Sequence, residues 1–156
     1  MRTLRIVLLL GALLAGQAMA ADAAAPAQSQ EARCPVCGMF PANYPKWRSQ
    51  VAFRSGAATE FDSPYDLFRF LGNMARYDKQ HSAADITRIL VTDYAKRNRI
   101  DARQAYFVSG SSIRGPMGPD LPAFANKADA EFLARTSGGR VLNFGQAAKE
   151  VGAAPR

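Results

Sequence analysis

Short runs of β-branched and other apolar residues, separated by turn residues, recur along most of the chain and predict small antiparallel sheets. Residues 49–53 and 57–61 are two such runs on either side of Ser55-Gly56, a pattern that predicts a β-hairpin. Residues 86–92 have the composition of a central strand. The first half of the chain therefore predicts at least three strands.

Two segments have the apolar spacing of amphipathic helices. The first covers residues 64–77 after Ser63, a predicted N-cap. Apolar residues at spacings of three and four predict its buried face: Leu67, Phe70, Leu71 and Met74. The second covers residues 127–135, between the predicted cap Asn126 and the terminating pair Gly138-Gly139.

The second half repeats the outline of the first. It has a predicted strand at 105–109, a loop rich in glycine and proline at 110–122, the second helix, and a closing strand at 140–144. The motif Phe61-x-Ser63-x-x-Asp66 matches Phe124-x-Asn126-x-x-Asp129. We therefore predict an α+β fold built from two pseudo-repeated ββαβ-like units with small antiparallel sheets.

The first twenty residues predict a cleavable signal peptide. Arg2 and Arg5 form a basic start, and an apolar stretch of about ten residues follows, far below the ~20 that a spanning helix needs. Ala18-Met-Ala20 is a small-x-small cleavage site, and residues 21–33 are small and polar, as in a flexible tether. We expect export to the periplasm as a soluble protein, without a membrane-spanning segment or a lipid anchor.

Composition and charge exclude several classes of protein. The chain has 156 residues, of which 48% are hydrophobic and 21% charged, which excludes a large multidomain enzyme and a polytopic membrane protein. Its formal charge of +7 falls to +5 when the two cations of the signal peptide are removed. Without interleaved basic and aromatic clusters, this charge predicts acidic partners or membrane surfaces rather than nucleic acid.

Both cysteines of the chain lie in the motif Cys34-Pro-Val-Cys37-Gly-Met39. A Cys-x-x-Cys pair is compatible with a redox disulfide, a metal clamp or half of a zinc site. Zinc is the weakest of these readings, because a closed site needs four ligands and the chain adds only one histidine, His81, in a polar segment. A structural disulfide would close a very small loop and stabilise the fold little.

The surroundings of this pair also bear on a thioredoxin-like interpretation. That interpretation needs the pair at the start of a helix, whereas residues 38–41 are typical of a turn. The nearby cations Arg33, Lys46 and Arg48 are expected to favour the thiolate form. Asp62 and Asp66 are most simply carboxylates that support the helix cap.

Met117 is the second unusual feature, in the segment Arg114-Gly-Pro-Met117-Gly-Pro119. Flanking glycine and proline stiffen the backbone and present the thioether outward. Thiolates and thioethers are soft donors that select Cu(I). Cys37, Met39 and Met117, with Cys34 as a candidate fourth ligand, therefore make a plausible Cu(I) site, while His81 is left outside it.

Six segments between residues 34 and 147 together resemble the NosL family, the copper accessory proteins of nitrous oxide reductase: Cys37-Gly-Met39, Phe61-Asp-Ser63, Val91-Thr-Asp93-Tyr, Asp101-Ala-Arg-x-Ala105-Tyr-Phe-Val-x-Gly110-Ser, Gly115-Pro-Met-Gly118 and Pro122-x-Phe124. The resemblance implies a NosL-like fold and copper binding at Cys37, Met39 and Met117. It also implies a periplasmic Cu(I) metallochaperone, not an enzyme, that assists copper-site assembly in nitrous oxide reductase beside a membrane ABC-transporter-type maturation complex.

The chain departs from the family pattern in two respects. Typical members are lipoproteins, whereas Ala18-Met-Ala20 predicts ordinary cleavage, and Cys34 is an additional thiol. The resemblance places the copper-binding domain at residues 34–152, with halves at about 34–95 and 100–147. The alternative is a periplasmic thiol-disulfide redox protein that uses the Cys34/Cys37 pair.

Overall fold

The computed structural model describes residues 32–153. The predicted signal peptide and residues 21–31 of the predicted tether lie outside that range. Its helices are α1 (Pro64–Gly72), α2 (Met74–Tyr77), α3 (Lys127–Ser137) and α4 (Phe144–Ala153), with 3-10 turns at Pro41–Asn43 and Ala83–Asp85. In this range, none of the helices is both long and apolar enough to span a bilayer.

The strands form two principal sheets and a small hairpin. They are β1 (Ser49–Phe53), β2 (Ala58–Phe61), β3 (Ile86–Thr92), β4 (Arg99–Asp101), β5 (Tyr106–Ser109), β6 (Arg114–Gly115), β7 (Gly118–Pro119), β8 (Ala123–Phe124) and β9 (Arg140–Leu142). The first sheet has the order β2-β1-β3-β4, the second has the order β8-β5-β9, and β6 pairs with β7. All of these pairings are antiparallel.

The two units of the predicted repeat have the same topology. In each unit the first strand lies between the second and the third, and a helix connects the last two: β1, β2, α1, β3 and β5, β8, α3, β9. The predicted caps also match, because the Ser63 side chain accepts a hydrogen bond from the Asp66 N–H and that of Asn126 accepts one from the Ala128 N–H. The predicted α+β fold of repeated ββαβ-like units is confirmed.

The two units share a hydrophobic core, and a smaller cluster forms around Val108, Phe124 and Ala130. Phe68 of α1 contacts Phe107 of β5 and Phe144 of α4, with ring centroids 5.0 and 5.2 Å apart. Asp93 adds a polar connection, because it bridges to Ala123 and its buried carboxyl accepts a hydrogen bond from the Ala125 N–H. The position of α1 at the first sheet is therefore set by both halves of the chain.

Several predicted bounds are wrong for local reasons. The helix predicted over 64–77 is interrupted at Asn73, whose φ of −152° and ψ of 61° are not helical, so that α1 and α2 are separate. The predicted loop at 110–122 contains the tight β6–β7 hairpin, in which Gly115 pairs with Gly118. The last strand ends at Leu142 rather than 144, because α4 begins there.

Helix α4 was not predicted, although it carries a recognisable start signal. The Asn143 N–H donates to Gln146 Oε1 and the Gln146 N–H donates to Asn143 Oδ1, both at 2.9 Å, which is the reciprocal pattern of a capping box. Ala147 and Val151 lie one turn apart on its buried face. Gly145 and Gly152 weaken the helical signal of the segment, so no helix was predicted after the strand at 140–144.

Candidate metal centre

The Cys34–Met39 segment forms a closed turn. The Cys34 N–H donates to the Met39 carbonyl and the Gly38 N–H donates to the Cys34 carbonyl, both at 2.8 Å. Gly38 has a φ of +79°, which residues with a side chain rarely adopt. A 3-10 turn follows at Pro41–Asn43 rather than an α-helix, so the predicted turn is confirmed and a thioredoxin-like helix start is absent here.

Two carboxyl groups approach this turn from the N-terminal end of α1. Asp62 lies between the end of β2 and the cap Ser63, and Asp66 lies in the first helical turn. Both aspartates are fully buried. The start of α1 therefore places both carboxyl groups at the helix end that packs against the cysteine turn.

The four side chains form one compact cluster. The Cys37 thiol donates to Asp62 Oδ1 at 3.1 Å and the Cys34 thiol donates to Asp66 Oδ2 at 3.5 Å. One ligand atom from each residue lies within 4.8 Å of all the others. Over residues 32–153, no other group of three or more His, Cys, Asp or Glu residues is arranged in this way. Both cysteines are free thiols.

The cluster keeps its thiols protonated. Burial, followed by the Asp66 charge, raises the pKa of Cys34 to about 12. Burial also raises the pKa of Cys37 well above its ordinary value, and hydrogen bonds with the carboxyl groups of Asp66 and Asp62 raise it further. A metal ion that binds here must therefore displace the thiol protons.

The expectation that nearby cations favour the thiolate is wrong. The Arg33 guanidinium donates to the Gly38 carbonyl and lies over the Phe40 ring. Lys46 lies over the Tyr94 ring. Arg48 forms an ion pair with Glu60. The groups that contact the thiols are carboxyl groups instead, and they act on the thiol pKa in the opposite direction.

The two predicted methionine ligands lie on different elements. Met39 is half-buried in the cysteine turn, whereas Met117 lies in the turn of the β6–β7 hairpin with 49% of its surface exposed. The structure thus brings Cys34 and Cys37 into one cluster and presents Met117 outward, as its flanking residues predicted.

The Met117 hairpin is nevertheless attached to the same helix end. Asp120 Oδ1, just after the hairpin, accepts a hydrogen bond from the Tyr65 N–H of α1 at 3.0 Å. A Cβ at Gly115 would lie 2.5 Å from Asp120 Oδ2, so the hairpin packs closely against this carboxyl group. Tyr65 precedes Asp66, and one helical turn therefore contacts both the hairpin and the thiol cluster.

His81 lies in a separate arrangement. Its ring stacks on Phe53 with centroids 4.0 Å apart, and its Nδ1 is 2.9 Å from Asp78 Oδ2. Its Nε2 is 3.2 Å from Ser55 Oγ. The cluster of the two cysteines and two aspartates does not include this histidine.

The sequence interpretation missed Asp62 and Asp66 as members of the site. Both residues lie beside the helix cap, as predicted. Their side chains, however, are hydrogen-bonded to thiols that lie 25 and 32 positions away. One signal in the sequence repeat could have identified Asp62 as a candidate site residue. The position equivalent to Asp62 in the second unit is Ala125, so the cap itself does not require a carboxylate there.

Comparisons with known proteins agree with this architecture. A family model described as NosL matches residues 25–151. The copper-binding lipoprotein NosL of Stutzerimonas stutzeri is 34% identical over 112 residues, which cover 71% of this chain and 59% of that relative, so the chain spans less than two thirds of its length. The crystal structure of the copper chaperone NosL from Shewanella denitrificans superposes with a TM-score of 0.67 and 28% identity, over 79% of this chain and 94% of that one.

Proposed function

The chain belongs to the NosL family, and on that premise we propose that it is a copper chaperone that takes up one Cu(I) ion and passes it to a copper protein. The observation that carries the proposal is the pairing of two free thiols, Cys34 and Cys37, on one closed turn. Thiolates are soft donors, and soft donors select Cu(I) over harder cations.

The proposed ligands are Cys34, Cys37, Met39 and Met117. Met39 belongs to the cysteine turn, and the Met117 hairpin packs through Asp120 on the helix end that supplies Asp66. The exposure of Met117 supports a role in transfer, because an accessible thioether can hold the ion while an incoming ligand from the acceptor enters. Binding and release would then proceed by ligand exchange, without a covalent reaction.

We propose that the acceptor is nitrous oxide reductase and that delivery takes place in the periplasm, beside an ABC-transporter-type maturation complex. The formal charge of +5 after removal of the signal peptide favours an acidic acceptor surface. Export predicts that the mature protein begins at Ala21, which mass spectrometry of the periplasmic fraction would detect. Transfer is tested by incubating the Cu(I)-loaded protein with copper-free nitrous oxide reductase and measuring recovery of its copper centres.

Anaerobic titration of the reduced mature protein against a chromogenic Cu(I) chelator tests the copper proposal. We expect one equivalent of tightly bound Cu(I), loss of that binding in Cys37→Ala, and weaker binding in the double variant Met39→Leu/Met117→Leu. Full affinity in Cys37→Ala would refute the ligand assignment. Tight Cu(I) binding without transfer to nitrous oxide reductase would mean that the acceptor is another copper protein.

The alternative, a thiol-disulfide redox protein, has less support. Attack on a disulfide requires a thiolate, and burial together with the neighbouring carboxyl groups raises the pKa of both thiols. The methionine variants separate the two functions, because a redox role needs neither thioether. Disulfide exchange that is fast in the wild type and unchanged in Met39→Leu/Met117→Leu would favour the alternative.

A further inference from the structure

An open groove with an apolar lining runs beside α3. Its apolar lining residues are Tyr94 from the segment after β3, Phe124 of β8, and Phe132 and Leu133 of α3. The groove has a volume of about 370 Å³. Phe132 is 62% exposed, and over residues 32–153 only Met117 joins it among the exposed large apolar side chains. An apolar patch with a polar rim is typical of an interaction surface, so this groove, here called the α3 groove, indicates a binding partner.

Cations outnumber carboxylates at the α3 groove. Lys96 lines the groove with a side chain that is 60% exposed, and the next residue, Arg97, is also exposed. The Lys46 Nζ lies 5.4 Å from the centroid of the Tyr94 ring, which forms part of the lining. The carboxylate of the described lining is Asp129, whose Oδ2 is 3.8 Å from the Lys96 Nζ. The rim therefore complements an acidic surface, whereas a second copy of this chain would present the same cations and be repelled.

The loop that carries Lys96 and Arg97 is held in one conformation by Asp93. The buried Asp93 carboxyl accepts hydrogen bonds from the N–H groups of Ala95 and Lys96. The Asp93 carbonyl accepts another from the Arg97 N–H at 2.7 Å. Arg97 has a φ of +62°, and within residues 32–153 it is the only residue other than glycine in the left-handed region, which is sterically costly for an arginine. Strained residues cluster at functional sites, and a preformed loop binds a partner at a lower entropic cost.

The α3 groove occupies the position in the second unit that the thiol cluster occupies in the first. The sequence repeat aligns Asp129 with Asp66, and each lies in the first turn of its helix. Asp66 contacts the Cys34 thiol, whereas Asp129 contacts the Lys96 ammonium group. Both Cys34 and Lys96 precede the first strand of their unit. The repeated architecture thus presents sulfur ligands at one helix start and an apolar, cationic groove at the other.

The groove is also continuous along the chain with both proposed ligand segments. Lys46 lies between the cysteine turn and β1, and Phe124 lies in β8, the first strand after the Met117 hairpin. We infer that the α3 groove is the docking surface for the copper acceptor, and that it binds an acidic surface of that protein from which an apolar side chain inserts beside Phe132. This inference rests on the proposed function and adds the place where the acceptor binds.

Binding of the metal-free mature protein to copper-free nitrous oxide reductase, measured by biolayer interferometry at low and at high ionic strength, tests the inference. We expect saturable binding that weakens as salt increases, because salt screens exposed charges. Phe132→Ser should weaken binding at least about tenfold, because aromatic anchors carry much of the binding energy of an interface. Arg97→Gly should slow association and reduce the salt dependence, because a rim charge acts mainly on the association rate. Glycine fits the left-handed backbone at this position, so the loop should be retained.

Lys149→Gln is the matched control, because it removes one exposed cation from α4, outside the groove. It should bind the reductase as the wild type does, which separates local complementarity from net charge. All three variants change exposed side chains and should keep the thermal unfolding midpoint of the wild type. They should also keep its Cu(I) affinity in chelator competition, because the groove is separate from the proposed ligands.

The inference fails if the wild type does not bind the reductase, if it associates with itself through the groove instead, or if Phe132→Ser and Arg97→Gly bind the reductase normally. Cu(I) binding is measured separately, so the two proposals can fail independently. A wild type that transfers Cu(I) to the reductase at a rate unaffected by the groove variants would retain the proposed function and lose this docking surface. Binding to the reductase that depends on the groove, in a protein that takes up no Cu(I), would instead refute the proposed function and leave this inference standing.

Discussion

The Cys37 thiol donates a hydrogen bond to Asp62 Oδ1 across 3.1 Å, although 25 positions separate the two residues. Burial is the main cause of the raised pKa of Cys37, and this carboxyl group contributes to it. At neutral pH a thiol with a raised pKa has a smaller thiolate fraction, so we expect Cys37 in the metal-free protein to be alkylated more slowly than in the unfolded chain.

Asp62→Asn should increase that alkylation rate, because it removes a negative charge but keeps an acceptor for the thiol. A fall of one pKa unit would raise the thiolate fraction about tenfold. Iodoacetamide kinetics followed by peptide mass spectrometry between pH 7 and 9, in chelator and reductant, measure the effect at Cys37. Equal rates in Asp62→Asn and the wild type would contradict a contribution of Asp62 to the raised pKa of Cys37.

The parts of the fold that were predicted correctly depend on local signals. Ser63 and Asn126 cap helices whose side-chain spacing is visible over a few turns, and Ser55-Gly56 indicates a hairpin directly. Two other features were missed: the break at Asn73, and α4, in which Gly145 and Gly152 weaken the helical pattern and which packs against α1 of the first unit. Intrinsic secondary-structure propensity predicts the conformation of such residues poorly when tertiary contacts stabilise a different one.

The site was predictable only in part for the same reason. The cysteine turn is local, and its sequence indicated both the turn and the soft donors. The approach of Asp62 and Asp66 depends on how α1 packs beside that turn, which involves contacts more than 20 positions apart. Residue types alone suggested that nearby Arg and Lys residues would stabilise a thiolate, but each of those cations has another partner.

Asp93 should contribute strongly to stability because it holds the two units together. Its buried carboxyl accepts hydrogen bonds from the N–H groups of Ala95 and Lys96 through Oδ1 and of Ala125 through Oδ2. Asp93→Ala leaves all three donors unsatisfied and should lower the free energy of unfolding by about 3 kcal/mol.

Asp93→Asn is the matched control, since its amide oxygen can still accept the bonds from Ala95 and Lys96 and only the bond from Ala125 is lost. We expect it to cost roughly half as much. Urea unfolding monitored by Trp47 fluorescence measures both values. Equal destabilisation by the two variants would mean that the bond to the second unit carries the whole effect.

Asp120 should make stability depend on pH. Burial raises its pKa to about 6, above the value of 3.8 for an ordinary aspartate, so the folded state binds its proton more tightly than the unfolded state. Its contribution is therefore fully present below about pH 4 and is lost as the pH rises through 6. The difference between a pKa of 3.8 and one of about 6 corresponds to a loss of up to about 3 kcal/mol.

Asp120→Asn removes this titration and retains an oxygen that accepts from the N–H groups of Tyr65 and Leu121. Urea midpoints of the metal-free protein at pH 4.5 and 7.5 should therefore differ less for the variant than for the wild type. The comparison between proteins isolates Asp120, because the remaining groups titrate in both. An unchanged difference between the two midpoints would contradict the assignment.

Met117 and Met74 should have opposite effects on stability and on copper binding. Met117 is 49% exposed on its hairpin, whereas Met74 is 8% exposed and packs in the shared core. Met117→Ala should change the free energy of unfolding by less than about 0.5 kcal/mol, because exposed side chains away from special features contribute little. Met74→Ala removes buried apolar volume and should lower the free energy of unfolding by about 2–5 kcal/mol.

For Cu(I) binding the order of the two variants reverses. The Met117 variant should bind Cu(I) more weakly, and the Met74 variant, at a temperature where it is folded, should bind it as the wild type does. Thermal unfolding and chelator competition on the same preparations measure both properties, and unchanged Cu(I) affinity in Met117→Ala would remove this thioether from the ligand set.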